Sequence, residues 1–275
     1  MAYRGRFFIR LREYICGDHV ETEIYSVFQQ PGKRRAKCKP STEVRIRQNK
    51  RDRERKLVRI LRLNFHKGDY ALHLTYGQKP ANLEEAMRHL SNFIACLRRR
   101  YRKAGVELKY VHTTEYGSKS GRVHHHLVIN GGIGRDEIES LWRHGYANCD
   151  RLQFDDGLEA LAKYLCEDPA TYRAWTPSRN LQMPEPSIRD GAVSLETVKE
   201  ITCAVDEKNA EQLFESIYPG YDCISVEYDK NECNGGIYIR VQLCRKESEH
   251  AVKRQKRQPP CAKGVFGRGE NGEVE

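Results

Sequence analysis

The period of the apolar positions changes several times along the chain, and each change predicts an element. Alternation over residues 7–11 and 24–28 predicts a short β-rich opening. Pro40 and Ser41 offer a helix start. Residues 42–64 are then crowded with Arg, Lys and Glu, and apolar side chains gather only at Leu57, Val58, Ile60 and Leu61. That pattern predicts a charged helix docked by its C-terminal end. Tyr-Ala-Leu-His-Leu-Thr-Tyr at 70–76 reads as a buried strand closed by Gly77 and Pro80. Residues 81–103 put Leu83, Met87, Leu90, Ile94 and Leu97 on one side of a long amphipathic helix, which ends in the cluster Arg98, Arg99, Arg100, Arg102 and Lys103 before Gly105.

Strands at 108–115 and 123–130 follow. Their connection of about seven residues suits a hairpin and is too short for a crossover, so they are read as antiparallel neighbours. Short helices are predicted at 136–143 and 155–167, the second striped by Leu158, Leu161, Ala162 and Leu165 and stopped by Pro169. A Pro-rich extended stretch, 176–186, leads to helices at 195–205 and 209–217 and strands at 222–228 and 236–243. The order implies an α+β fold with a central antiparallel sheet flanked by helices, a basic N-terminal extension and a small C-terminal αβ module. The linear division is 1–64, 65–189, 190–245 and a tail, 246–275, whose charge and lack of periodicity predict disorder.

Charge sharpens this picture. The net charge is +10, and residues 1–60 carry 17 basic and 7 acidic side chains, so the whole excess lies there. Between residues 33 and 59 alone stand 13 basic and 3 acidic ones, including Arg51, Arg53 and Arg55. A local surplus of that size favours phosphate contact over a merely solvated face. No run approaches the roughly 18 apolar residues of a membrane helix, and the charged N-terminus is no secretory signal. The ten cysteines never form a C-x-x-C pair. Together these features predict a soluble cytoplasmic protein with reduced thiols and no membrane partner.

The most specific chemistry is Arg122-Val123-His124-His125-His126-Leu127-Val128-Ile129. Strand side chains alternate, so His124 and His126 project to one face, about 7 Å apart, and His125 to the other. Two imidazoles so placed can converge on a divalent ion. Three consecutive histidines in an apolar strand are hard to attribute to packing, because each ring nitrogen needs a partner. Glu115, at the end of the preceding strand, can reach the same ion. It can equally be a surface charge beside the turn, and spacing alone does not choose. Tyr164 sits near the edge of an apolar helical stripe, where a half-buried core tyrosine is the ordinary reading. Beside a metal and a phosphodiester, however, a phenol can attack phosphorus and conserve the bond energy in a phosphotyrosine.

These residues resemble the HUH endonuclease superfamily, the rolling-circle replication initiators (Rep proteins) of phages, plasmids and integrated elements. Leu74-Thr75-Tyr76 is similar to the end of the family's first motif, His124-His125-His126 to its His-hydrophobe-His motif, and Ala160-Leu161-Ala162-Lys163-Tyr164-Leu165-Cys166-Glu167 to its tyrosine helix. The resemblance covers residues 65–185. Ala160 replaces the first tyrosine of two-tyrosine relatives and Glu167 replaces a lysine, which implies a single-tyrosine enzyme with Lys163 as helper. The resemblance further implies an HUH/RRM-like sheet, Mg²⁺ or Mn²⁺ on His124, His126 and Glu115, and single-stranded or hairpin origin DNA as substrate, nicked to a 5′-phosphotyrosine. Arg98, Arg99, Arg100 and Arg179 are expected strand contacts. No helicase motif is present, so unwinding falls to a host helicase working with the replication machinery. Three other readings stay open: a non-catalytic DNA-binding regulator, an RNA-binding sheet, and a transposase or relaxase of the same chemistry.

Overall fold

The computed structural model describes residues 6–29, 43–117, 121–153, 157–167, 169–206, 209–230 and 236–246. The predicted basic linker at 33–39, the helix start at Pro40 and Ser41, and the tail beyond Lys246 lie outside them. The chain divides into two compact units, Met1–Cys38 with Pro184–Glu275, and Lys39–Met183.

The first unit is built from both flanks of the chain. β1 (Arg6–Cys16) and β2 (His19–Gln29) form a hairpin that closes at Cys16 and His19, where Gly17 takes a left-handed φ of 64°. β8 (Ser187–Asp190), β9 (Tyr221–Lys230) and β10 (Ile237–Arg245) complete a five-stranded sheet in the order β8-β1-β2-β10-β9. Two helices, α5 (Leu195–Asp206) and α6 (Ala210–Ile217), supply Ile201, Phe214 and Ile217 to a core with Leu11, Ile24, Ile239 and Val241. Arg240 is buried in this sheet and satisfied by Glu21 and Glu227, each at 2.6 Å, as a buried guanidinium must be.

The linear division at 64 and 189 therefore differs from the observed one. β2 pairs with β10 across more than two hundred residues, Thr22 opposite Val241. Strand edges demand hydrogen-bond partners, but an alternating sequence does not say which strand will supply them. The charged helix α1 (Glu43–Asn64) belongs to the other unit, because Leu57, Val58, Ile60 and Leu61 pack with Leu158, Ala162 and Leu165 of α4 (Gly157–Leu165).

In that second unit, β3 (Tyr70–Leu74), β4 (Tyr110–Tyr116), β5 (Val123–Ile129), β6 (Ala147–Arg151) and β7 (Thr176–Pro177) form a sheet in the order β6-β3-β5-β4-β7, with every neighbouring pair antiparallel. The fold is thus α+β, and the predicted hairpin of β4 with β5 forms. β5 is central. Its odd positions, Val123, Leu127 and Ile129, join Leu72 and Leu74 in a core with Leu90, Phe93, Ile94 and Leu97 of α2 (Leu83–Lys103). Its Val128 faces the other way, into the α1–α4 core with Val111. α2 begins at Leu83 rather than 81 because the Asn82 side chain caps it, accepting from Glu85 N at 2.8 Å. α3 (Arg135–Ser140) and the unpredicted edge strand β6 follow β5. An edge strand needs few inward residues, and β6 buries only Cys149, so no alternation marks it.

Candidate active site

Pairing across β3, β5 and β4 brings one row of side chains to the α1–α4 face. His73 lies opposite His126, Thr113 opposite His126 on the other side, and Glu115 opposite His124. Directly paired residues of antiparallel strands share a face, and the diagonal neighbour is still within reach of a long side chain. Glu115 uses that diagonal: its Oε1 meets His126 Nε2 at 2.8 Å. α4 then places Tyr164 over the pair. The Tyr164 hydroxyl donates to Glu115 Oε1 at 3.0 Å and lies 3.2 Å from His126 Nε2, with the two rings edge to face at 4.9 Å. Tyr164 is 42 % exposed, whereas His126 is 7 % exposed. The site is therefore a buried acid–imidazole pair under a phenol that solvent can reach.

Electrostatics set the resting protonation. Burial, then Glu115, pushes the Tyr164 phenol up to about 12, so it rests protonated and hydrogen-bonded. Burial lowers His126, and Glu115 opposes that fall. His73 stacks on His126 with centroids 4.5 Å apart and meets the edge of His124 at 5.2 Å. Burial and these two rings hold His73 down to about 4, and its Nε2 is a buried atom with no hydrogen-bond partner among the described residues. Sequence reasoning does not single out His73. Its one signal is its place in Tyr-Ala-Leu-His-Leu, where it takes the polar slot of an otherwise buried strand.

His125 points the other way. It is 0 % exposed, accepting or donating at both nitrogens: Tyr76 Oη at 2.9 Å on Nε2 and Thr114 Oγ1 at 2.8 Å on Nδ1. Burial holds it down to about 3.

Two imidazoles and a carboxylate are chemistry that suits a divalent ion. Glu115 and His126 are already at the separation two neighbouring ligands take. His124 is on the same face, but in this arrangement its ring lies against His73. Among the described residues no group of three or more His, Cys, Asp and Glu side chains is gathered to hold an ion as it stands. The donor chemistry fits, while the atoms an ion would take are engaged with one another and with the Tyr164 hydroxyl.

Residues 69–169 match the family model of replication-associated proteins of the ORF2 type. The match runs from the start of β3 to just past α4, so the His124, His126, Glu115 and Tyr164 positions all fall within a segment similar to replication-associated proteins. No curated protein matches the chain.

Other predicted residues of and around the matched segment are placed as follows. Lys163 is exposed in the last turn of α4. Arg51 and Arg53 are exposed on α1 and Arg55 is partly buried. Lys50, Arg53 and Glu54 act electrostatically on Cys166, which burial pushes up to about 11, so the basic stretch of α1 runs beside the end of α4. Arg179 is exposed in the turn after β7. The cluster at the end of α2 is on the opposite layer. Arg98 lies over the Tyr110 ring and donates to its hydroxyl at 3.1 Å, Arg99 donates to Cys96 Sγ, and Arg100 pairs with Glu137 at 3.6 Å. The structure thus joins Glu115, His126 and Tyr164, sets His124 and Lys163 beside them, and leaves Arg98, Arg99 and Arg100 on the far side of the sheet. Among the described residues no helix is long and apolar enough to cross a membrane.

Proposed function

We propose that this protein is a replication initiator that nicks and rejoins one DNA strand through Tyr164, starting rolling-circle replication of a phage or plasmid. The observation that carries the reading is the Tyr164 hydroxyl seated on the Glu115–His126 pair inside a segment that matches a replication-associated family. In the step, Tyr164 Oη forms a bond to a backbone phosphorus and the bond to the 3′ oxygen breaks. The phenolic proton passes to the Glu115–His126 pair, and the 3′ oxygen leaves as a hydroxyl after taking up a proton. The 5′-phosphotyrosine keeps the phosphodiester energy, so a free 3′-hydroxyl can reverse the attack and rejoin the strand. Mg²⁺ or Mn²⁺ held by His124, His126 and Glu115 would supply Lewis-acid polarisation of the phosphate. His73 packs behind His126 and fixes its ring, and Lys163 offers an ammonium beside the attacking oxygen. Arg51, Arg53 and Arg55 on α1 hold flanking DNA through its phosphates. Duplex opening falls to a host helicase.

The test is full-length protein with Mn²⁺ and single-stranded DNA from its own replicon. A protein–DNA adduct that survives denaturing electrophoresis is expected, and Tyr164→Phe should abolish it. An adduct undiminished by Tyr164→Phe overturns the nucleophile assignment. A second reading, a DNA-binding regulator without cleavage, is favoured by Glu167, whose charge raises the Tyr164 pKa further where a lysine would lower it. That reading requires DNA binding with no adduct on any origin strand.

A further inference from the structure

Behind the sheet, on the α2 side, the chain forms a second concave site. The end of β3 is clamped to the segment before β6 by backbone bonds, Thr75 N to Tyr146 O at 2.8 Å and Gly77 N to His144 O at 2.9 Å. At Gly145 the two backbones cross so closely that any side chain would collide with Gly77 N and Thr75 O. This crossing opens a cleft of about 390 Å³ between the two segments and the start of α2. The size falls within the range of roughly 300 to 1,000 Å³ typical of small-ligand sites.

Its lining is polar and cationic rather than apolar. Lys79 and Arg143 are exposed at it, and His89 and His144 stack face to face within it, centroids 3.6 Å apart and planes 13° apart. Tyr76 and Trp142 back this ring pair, the tryptophan edge-on to His144 at 5.1 Å. Burial and then His89 hold His144 below its ordinary 6.5, so it stacks as a neutral ring at pH 7. His89 Nδ1 is a buried atom with no hydrogen-bond partner among the described residues. Glu85, the acid of the lining, is engaged by Ala81 N at 2.6 Å and by Arg88 at 3.6 Å.

We propose that this cleft binds one nucleotide of the DNA strand away from the cleaved phosphate, its phosphate on Lys79 and Arg143 and its base against the His144–His89 stack. Lysine and arginine are the side chains that hold phosphate, and unpaired bases stack on rings that include imidazole. The inference rests on the proposed function, since it takes the same DNA as the tyrosine site. From His73 on one face to Tyr76 at the cleft is three residues, about 10 Å along the chain, so one short strand can reach both.

The test uses the full chain and a fluorescent 20-nucleotide single strand of mixed sequence, read by anisotropy. Lys79→Gln with Arg143→Gln should weaken binding about fivefold or more and flatten its salt dependence by about 0.7 in log–log slope for each phosphate no longer neutralised. His144→Ala should weaken binding about fivefold or more with the slope unchanged, as removal of one stacked base does. The substituted Lys79 and Arg143 are surface residues, and an unchanged melting curve verifies folding. Variants that bind like the original chain overturn the cleft alone. An original chain that binds no single strand overturns the cleft and the proposed function together. Deoxynucleoside monophosphates at millimolar concentration separate the two sources of such a ligand. If they occupy the cleft in NMR spectra and single strands do not displace them, the cleft serves a free nucleotide and the DNA assignment falls.

Discussion

Two faces of one strand carry the lesson of this fold. His125 and its neighbours His124 and His126 are consecutive residues of the same type, yet β5 delivers them into opposite environments. On the α2 side, His125 is sealed among apolar side chains with both nitrogens bonded, to Tyr76 and Thr114. On the α1–α4 side, His126 shares its nitrogen with a carboxylate and an exposed phenol, and His73 and His124 crowd beside it. The first arrangement holds the sheet together. The second gathers polar atoms into a half-buried concavity and leaves them competing for one another, which is what a site waiting for a substrate does.

The comparison can be broken most sharply by substituting each face. On the reactive face, His126→Ala is expected to cut the rate of adduct formation about 100-fold or more, the size typical for loss of a proton-handling group, while denaturation midpoints change little. On the structural face, His125→Ala should cost about 2–4 kcal/mol of stability, because it opens a cavity and strands the Tyr76 and Thr114 hydroxyls. Chemical denaturation measures that loss, and a stability equal to the original chain would remove the distinction between faces.

A smaller effect is pH dependence. His125 has an unfolded value near 6.5 and a folded value near 3, so the unfolded chain binds the extra proton as the pH falls. Its contribution is fully present above about 6.5 and is lost as the pH falls from there towards 3, by about 1.4 kcal/mol per pH unit at most. Melting at pH 7 and pH 5 should show that slope, and His125→Gln should reduce it. The smallest effect expected is electrostatic. Neutralising Arg51, Arg53 and Arg55 should weaken DNA binding and flatten its slope between about 50 and 200 mM salt by up to 0.7–0.9 per residue. Unchanged salt dependence would remove α1 from the DNA contacts.

How far the sequence can be read follows the reach of each physical signal. Periodicity finds α2, the β4–β5 hairpin and α4, because each is long or strongly patterned. The row His124, His126 and Glu115 follows from the pleat alone. His73 stays hidden because its face depends on which strand pairs with β5, and pairing is a property of the whole sheet. The position of Arg98, Arg99 and Arg100 behind the sheet is hidden for the same reason: a basic helix end carries no record of which layer it joins. The cleft at Lys79 and His144 requires two backbone segments some 65 residues apart to cross at glycine, which no local pattern announces.

Synthesis imposes an order on this architecture. β2 ends at Gln29 and its partner β10 begins at Ile237, so roughly 200 residues must be made before that edge is covered. At a ribosomal pace of about 5–20 residues per second, the emerging hairpin waits some 10 to 40 seconds with one edge open. The inserted unit, whose pairing partners all lie within residues 39–183, has its complete sequence well before then. The sheet of the flanks thus closes last, after the inserted segment has had time to settle, and truncation within β10 would leave β2 with the unpaired edge that invites aggregation.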